Sequence, residues 1–311
     1  MIKIDLITGF LGSGKTTFIK KYADYLIGKG QKIGILVNDY GAVNVDTMLL
    51  GGLEGDNCLI ESVAGACDSD CHQRRFKTKL IALAMNGGDR VLIEPSGVFD
   101  VDEFFDSLCE SPLDRWYEIG SVITVADAML EQELSESSEY LLASQASVAG
   151  RLVLSKTQLA DEKRIDGTIE TINSALKKLG VDRRFGDGDV IKKDWDLFTD
   201  EDFEEIMSCG YRAPEFTKLM TADDAGFSSV YFMELKISAD ELKNRVEKLF
   251  EAPSCGSIFR VKGFARQNGG WLELNATRDG ITLSQIENGQ DIVIVIGENP
   301  DKERISKILT T

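Results

Sequence analysis

The stretch Thr8-Gly-Phe-Leu-Gly-Ser-Gly-Lys-Thr-Thr17 decides how this chain folds. Within it, Gly9, Gly12 and Gly14 lead into Lys15 and Thr16 with the full spacing of a Walker A phosphate-binding loop. The apolar run Ile2 to Ile7 before it reads as a strand, and the spacing from Thr16 to Leu26 predicts a helix. Strand, glycine-rich loop and helix are the context the motif requires, which argues against a turn with chance glycines. The glycines let successive N–H groups face phosphate oxygens, and the helix N-terminus adds partial positive charge. Lys15 would reach the β- and γ-phosphates, and Thr16 would offer its hydroxyl to Mg²⁺. Gly9, Gly12, Ser13, Gly14, Lys15, Thr16 and Thr17 are therefore candidate nucleotide contacts; Ser13 mainly has to be small.

Working outward, Lys32–Val37, Arg90–Ile93, Val122–Val125 and Leu152–Leu154 read as further strands. Lys77–Met85 and 162–179 read as helices. Short apolar runs separated by helices fit a parallel sheet covered on both faces. Residues 182–196, rich in Asp and Gly, read as a loop, and 200–208 as a short helix. The pattern then changes. Strands are expected at Val230–Ile237, Ser257–Phe264, Trp271–Asn275 and Asp291–Ile296, with helices at Asp240–Phe250 and Lys302–Leu309. This divides the chain into a nucleotide domain (1–212), an acidic linker (213–227) and a smaller α+β domain (228–311).

The 311 residues carry a formal net charge of -17, which repels nucleic acid and anionic lipid. We expect neither as a partner. No apolar run is long enough to span a bilayer, and no signal-peptide pattern opens the sequence. The 6 cysteines are too sparse for a disulfide scaffold, so a reducing, cytoplasmic location is expected.

Two further segments belong at the phosphate end. Val91-Leu-Ile-Glu-Pro-Ser-Gly97 is an apolar strand ending in Glu94, at the sheet edge where such folds bind ligands. Glu94 could hold Mg²⁺ through a water, and Gly97 could give a backbone N–H to the γ-phosphate as a hinge. Asn38-Asp-Tyr-Gly41 also follows a strand, making Asp39 a second candidate for Mg²⁺ or for orienting the attacking water. A surface acid at Glu94 and an Asx-type turn at Asp39 are the structural alternatives.

At the base end stands Leu154-Ser-Lys-Thr-Gln158. P-loop GTPases usually have Asn/Thr-Lys-x-Asp here, with the lysine stem on the guanine ring and the aspartate accepting from two guanine N–H groups. Ser155 and Lys156 keep the pattern, while Gln158 replaces the carboxylate. Its neutral amide makes weaker hydrogen bonds. GTP is the preferred substrate on this reading, with ATP open.

Gly65-Ala-Cys-Asp-Ser-Asp-Cys-His72 sets the thiols of Cys67 and Cys71 beside the imidazole of His72, with Cys58 nine residues before Cys67. Such donors suit Zn²⁺ or another transition metal such as Co²⁺. Structural cysteines and redox chemistry are the alternatives; the spacing is not Cys-x-x-Cys.

The chain resembles the CobW-type GTPases, relatives of the GTPases that insert nickel into hydrogenase and urease. The likeness rests on Thr8–Thr17, Leu36-Val-Asn-Asp-Tyr-Gly41, Ile93-Glu-Pro-Ser-Gly97, Val122-Ile-Thr-Val-Ala-Asp127, Phe259-Arg-Val-Lys-Gly-Phe264 and Val295-Ile-Gly297, and so covers nearly the whole chain. It implies a P-loop GTPase-type α/β fold, with a mostly parallel sheet flanked by helices and a smaller C-terminal α+β domain. It also implies Mg²⁺-dependent GTP hydrolysis coupled to delivery of a metal or a metal-containing, possibly corrinoid, cofactor. The partner would be a client metalloprotein or corrinoid protein; a homodimer is compatible with the sequence. Three departures stand out. Asp39 replaces the family's glutamate, Asp68-Ser-Asp70 interrupts its Gly-Cys-x-Cys-Cys run, and Gly150 stands where the family commonly has Asp. Gln145 and Arg151 resemble positions around its base-binding strand. An activation factor that carries no metal itself, with GTP or ATP, is the competing class. A small-molecule kinase is remote, because no arginine-rich lid is evident.

Overall fold

The computed structural model describes residues 1–39, 49–64, 69–95, 101–212, 227–233, 235, 237–267, 270–278, 280–286 and 292–310. The chain divides into two compact units, Met1–Leu219 and Met220–Thr311.

In the first unit, β1 (Ile2–Thr8) is flanked by β4 (Arg90–Glu94) and β5 (Tyr117–Asp127). Beyond β4 lie β2 (Ile33–Asp39) and β3 (Cys58–Ala64). Beyond β5 lie β6 (Arg151–Ser155) and β7 (Val190–Ile191). Every pairing is parallel. Such a sheet needs cover on both faces, and the central strands are accordingly buried throughout: all five residues of β4 and Ile4 to Thr8 of β1. Helix α1 (Lys15–Gly28) turns Phe18, Ile19, Tyr22, Ala23 and Leu26 into the core, the 3–4 spacing of an amphipathic helix. Helix α2 (Ser69–Met85) leads to β4, and α3 (Val101–Leu108) and α4 (Leu113–Trp116) lead to β5. Helices α5 (Glu136–Ser147), α6 (Glu162–Leu179) and α7 (Asp200–Met207) complete the unit. Ser135 caps α5 and Asp161 caps α6 through their side chains, and Gly180 ends α6 in the left-handed conformation.

Two strands of this unit were not expected from sequence. β3 lies in a stretch to which no element was assigned, and β7 inside the presumed loop 182–196. β7 has two residues, too few for any period to register. In β3, Glu61 and Ser62 interrupt the apolar run, because it is an edge strand.

The second unit is a five-stranded antiparallel sheet of β8 (Phe227–Met233), β9 (Ser257–Gln267), β10 (Gly270–Thr277), β11 (Gly280–Ile286) and β12 (Ile292–Glu298), in the order β11-β10-β9-β12-β8. Alternate residues Val261 and Ala265, Leu274 and Ala276, and Val293 and Val295 pack on α8 (Ala239–Phe250) and α9 (Lys302–Thr310). The unforeseen β11 is an edge strand that stays largely exposed. No helix among the described residues is long and apolar enough to cross a membrane.

Candidate functional site

The phosphate-loop segment leaves the C-terminal end of β1 and enters α1. Gly9, at φ 148°, lies so close to β5 that a Cβ on it would stand 2.2 Å from the Val125 carbonyl oxygen. Backbone occupies that space and cannot yield as a side chain could. Gly9→Ala is therefore expected to distort the loop, costing about 1–3 kcal/mol of stability. Thermal unfolding and nucleotide titration would check this; unchanged binding would show that the loop tolerates the shift.

Gly14, the N-cap of α1, provides no side-chain cap. The first N–H groups of a helix lie outside its own hydrogen-bond pattern, so an anion suits this end. The buried Ser13 hydroxyl has no hydrogen-bond partner and lies 2.7 Å from where a Gly9 Cβ would be. Lys15, 6% exposed, folds back over the loop. Its Nζ donates to the carbonyls of Gly9 at 2.9 Å and Phe10 at 3.4 Å. Thr16 Oγ1 donates to Glu94 Oε1 at 2.7 Å, and both residues are buried. Register explains this meeting: Leu6 pairs with Ile93, so Glu94 emerges level with the end of β1. Thr17 is exposed on α1.

Asp39 ends β2 opposite Ala64; since Val37 pairs with Glu94, its backbone continues along the same sheet edge. Its side chain lies outside the described residues, as do Gly97 and Cys67 and the side chains of Cys71 and His72. Cys58 is a core residue, with its thiol pushed up to about 11 by burial and then by Glu54 and Asp24. It opens β3, about 20 Å of strand before Ala64. No cluster of three or more metal donors occurs among the described residues.

At the base end, Ser155 is buried, and its hydroxyl donates to the Ala126 carbonyl at 3.4 Å. Lys156 has a left-handed backbone, φ 54°, and its Nζ forms an ion pair with Asp127 Oδ2. The other Asp127 oxygen accepts from the Met129 N–H at 2.8 Å. Gln158 is exposed on the 3₁₀ turn Thr157–Leu159. Trp195 was missed from sequence because it fell in the presumed loop. Its indole donates to the Leu154 carbonyl at 2.9 Å and packs edge-on against Phe18 at 5.5 Å. A lone tryptophan in an Asp- and Gly-rich stretch was the available signal, and an aspartate closing a strand was the signal for Asp127.

The family model "CobW/HypB/UreG, nucleotide-binding domain" matches residues 3–180. The chain belongs to the CobW/HypB/UreG family. Zinc chaperone YjiA of Escherichia coli K12 is 30% identical over 279 residues, covering 84% of this chain and 81% of that protein. Zinc chaperone YeiR of the same organism is 29% identical over 158 residues, covering 50% and 47%. Zinc chaperone CobW of Sinorhizobium sp is 26% identical over 204 residues, covering 57% of each chain. The chain thus spans less than half of YeiR but most of YjiA. A crystal structure of Zn(II)-bound YjiA GTPase aligns over 99% of this chain and 97% of that one, at 19% identity and a TM-score of 0.35.

The first unit is thus the P-loop nucleoside triphosphatase domain of a CobW/HypB/UreG protein. The structure also accounts for one departure from the family pattern. A Cβ on Gly150 would stand 2.2 Å from the Gly210 carbonyl oxygen and 2.5 Å from that of Cys209. The segment after α7 passes there, with Val122 N–H donating to Gly210 O at 2.9 Å and Gly150 N–H to Val122 O at 2.8 Å. An aspartate has no room at 150 in this chain.

Proposed function

We propose that this protein hydrolyses GTP with Mg²⁺ and couples its nucleotide state to delivery or insertion of a transition metal, or a metal-containing cofactor such as a corrinoid, into a partner protein. The observation that carries the reading is the Thr16–Glu94 hydrogen bond, 2.7 Å long, beside a glycine-built loop that Lys15 spans. Thr16 would ligate Mg²⁺ directly and Glu94 through a water, while Lys15 would turn from the Gly9 carbonyl to the β- and γ-phosphates. Held by Thr16 and Glu94, Mg²⁺ would supply positive charge against the charge that develops on the phosphates. Asp39 and Gly97 are the proposed switch residues, responding to the γ-phosphate. Cys67, Cys71 and His72 are the proposed transition-metal donors. Zinc comes first among the metals because YjiA, YeiR and Sinorhizobium CobW are named zinc chaperones.

The test combines GTP turnover in Mg²⁺ with Zn²⁺ and Co²⁺ titrations in GDP and in a non-hydrolysable GTP analogue. Metal affinity should change with the nucleotide and fall in Cys67→Ala/Cys71→Ala. Equal binding by the variant would sink the cysteine site. It would favour the second reading, a nucleotide-driven activation factor that carries no metal, which the interrupted cysteine run supports.

Base preference has its own test. Gln158→Asp restores a charged acceptor, and charge-assisted hydrogen bonds are about twice as strong as neutral ones. GDP should gain on ADP by about tenfold, equivalent to ~1.4 kcal/mol. An unchanged GDP/ADP ratio in competition binding would place base reading elsewhere.

A further inference from the structure

Between α6 and β7 the chain runs extended, turning alternate residues inward. Val181 and Arg183 are each 7% exposed and Phe185 2%, while Asp182 and Arg184 face solvent. The segment is held firmly. Val181 N–H donates to Leu176 O at 3.1 Å, Phe185 N–H to Asn173 Oδ1 at 2.8 Å, and Asn173 Nδ2 to Phe185 O at 3.1 Å. A guanidinium is thus fixed in the middle of an inward-facing apolar row.

Arg183 stacks on the Phe185 ring, 4.2 Å from its centroid. Its Nε and Nη1 are buried without a hydrogen-bond partner, and no carboxylate lies within ion-pair distance among the described residues. Its charge is held down by burial and then by the neighbouring Arg212 cation, against a weaker pull from Asp189. Asp189 is already committed, since its Oδ2 accepts from the Gly186 N–H at 3.0 Å. Arg151, which opens β6, is paired with Glu205 at 2.6 Å and also has a buried Nε without a partner.

A buried charge without a partner is strongly unfavourable, and a like charge beside it makes it more so. In a chain of net charge -17, carboxylates are plentiful, yet among the described residues none pairs with Arg183. A ligand that brings negative charge would make the arrangement favourable. A guanidinium fork matches the paired oxygens of phosphate and carboxylate.

We propose that Arg183 and Arg212 form an oxyanion-binding site at the N-terminal edge of the parallel sheet. The phosphate loop leaves the opposite, C-terminal edge, so the two sites are separate. The ligand is a phosphorylated or carboxylated small molecule.

The test is thermal unfolding of the full chain with Mg²⁺ and excess GDP, at constant ionic strength. Chloride is replaced stepwise by inorganic phosphate in one arm and by succinate in the other. At about a hundred times its dissociation constant, a bound anion should raise the wild-type midpoint by about 5–10 °C. Arg183→Leu should melt higher than wild type in chloride, because the unpaired charge is gone, and should show no anion increment. Arg212→Gln, a surface change, should weaken the anion response at least tenfold without lowering the chloride midpoint. Stabilisation by phosphate alone assigns a phosphorylated ligand, and by succinate alone a carboxylated one. Equal midpoints in all three salts, or an anion increment as large in Arg183→Leu as in wild type, would overturn the site. The variant comparison subtracts any anion held at the phosphate loop.

Discussion

Lys15→Ala should lower Mg²⁺-dependent GTP turnover by about 10²–10³-fold, the scale for losing one preorganised group that meets transition-state charge. Lys15 is buried, and its Nζ sits over the loop on the carbonyls of Gly9 and Phe10. Lys156, the lysine at the base end, is paired with Asp127. The loss should appear in single-turnover kcat with GTP and persist at saturating nucleotide. Thr16→Ala probes the other half of the site. It removes the hydroxyl that bonds Glu94 at 2.7 Å, so half-saturation by Mg²⁺ should move upward, while Thr16→Ser should restore it. Turnover that survives Lys15→Ala would place hydrolysis outside this loop and remove the basis for the proposed function.

Arg90→Met should be the most destabilising single substitution in the nucleotide domain, at about 3–5 kcal/mol. β4 carries a buried charge at each end: Glu94 meets Thr16, and Arg90 meets Asp5. Asp5 sits in the middle of β1, fully buried. It accepts from Arg90 Nη1 at 2.7 and 2.5 Å, from Tyr22 Oη at 2.8 Å and from Ser121 N–H at 2.9 Å. The last bond exists because the β1–β5 register shifts between Ile4 and Leu6, releasing Ser121 from the ladder. Burial raises the Asp5 carboxyl, and Arg90 with the other donors pulls it back. Burial opposes the Arg90 charge, but Asp5 outweighs it, and the guanidinium rises above its ordinary value. Without Arg90 the carboxylate keeps two neutral donors and no counter-charge. The melting midpoint should fall by about 6–20 °C. Asp5→Leu/Arg90→Met should recover part of the loss, since no buried ion remains. If the double variant is as unstable as the two singles summed, the residues act separately and the pair is not the unit.

The legible parts of the site share one property. The loop from Gly9 to Thr17 is specified by glycine spacing within ten residues, and its flanking strand and helix announce themselves by local period. Glu94 could be found because it closes an apolar run. β7 could not, because two residues show no period, and Trp195 was hidden with it. The Asp5–Arg90 pair was also invisible, since a lone aspartate inside IKIDLIT reads as a strand residue with no stated partner. Gly150 looked like a departure from family chemistry and became a packing requirement only when Gly210 appeared beside it.

The sequence by itself therefore determined the phosphate loop, the parallel nucleotide fold and the family, because backbone conformation over a few residues encodes them. Tertiary structure alone decided the partners. Thr16 and Glu94 are 78 residues apart and Asp5 and Arg90 are 85 apart, joined by strand register that no local pattern states. It also decided what Arg183 lacks. Alternation within 181–185 turns that side chain inward, but only the packed chain shows that no carboxylate among the described residues comes to meet it.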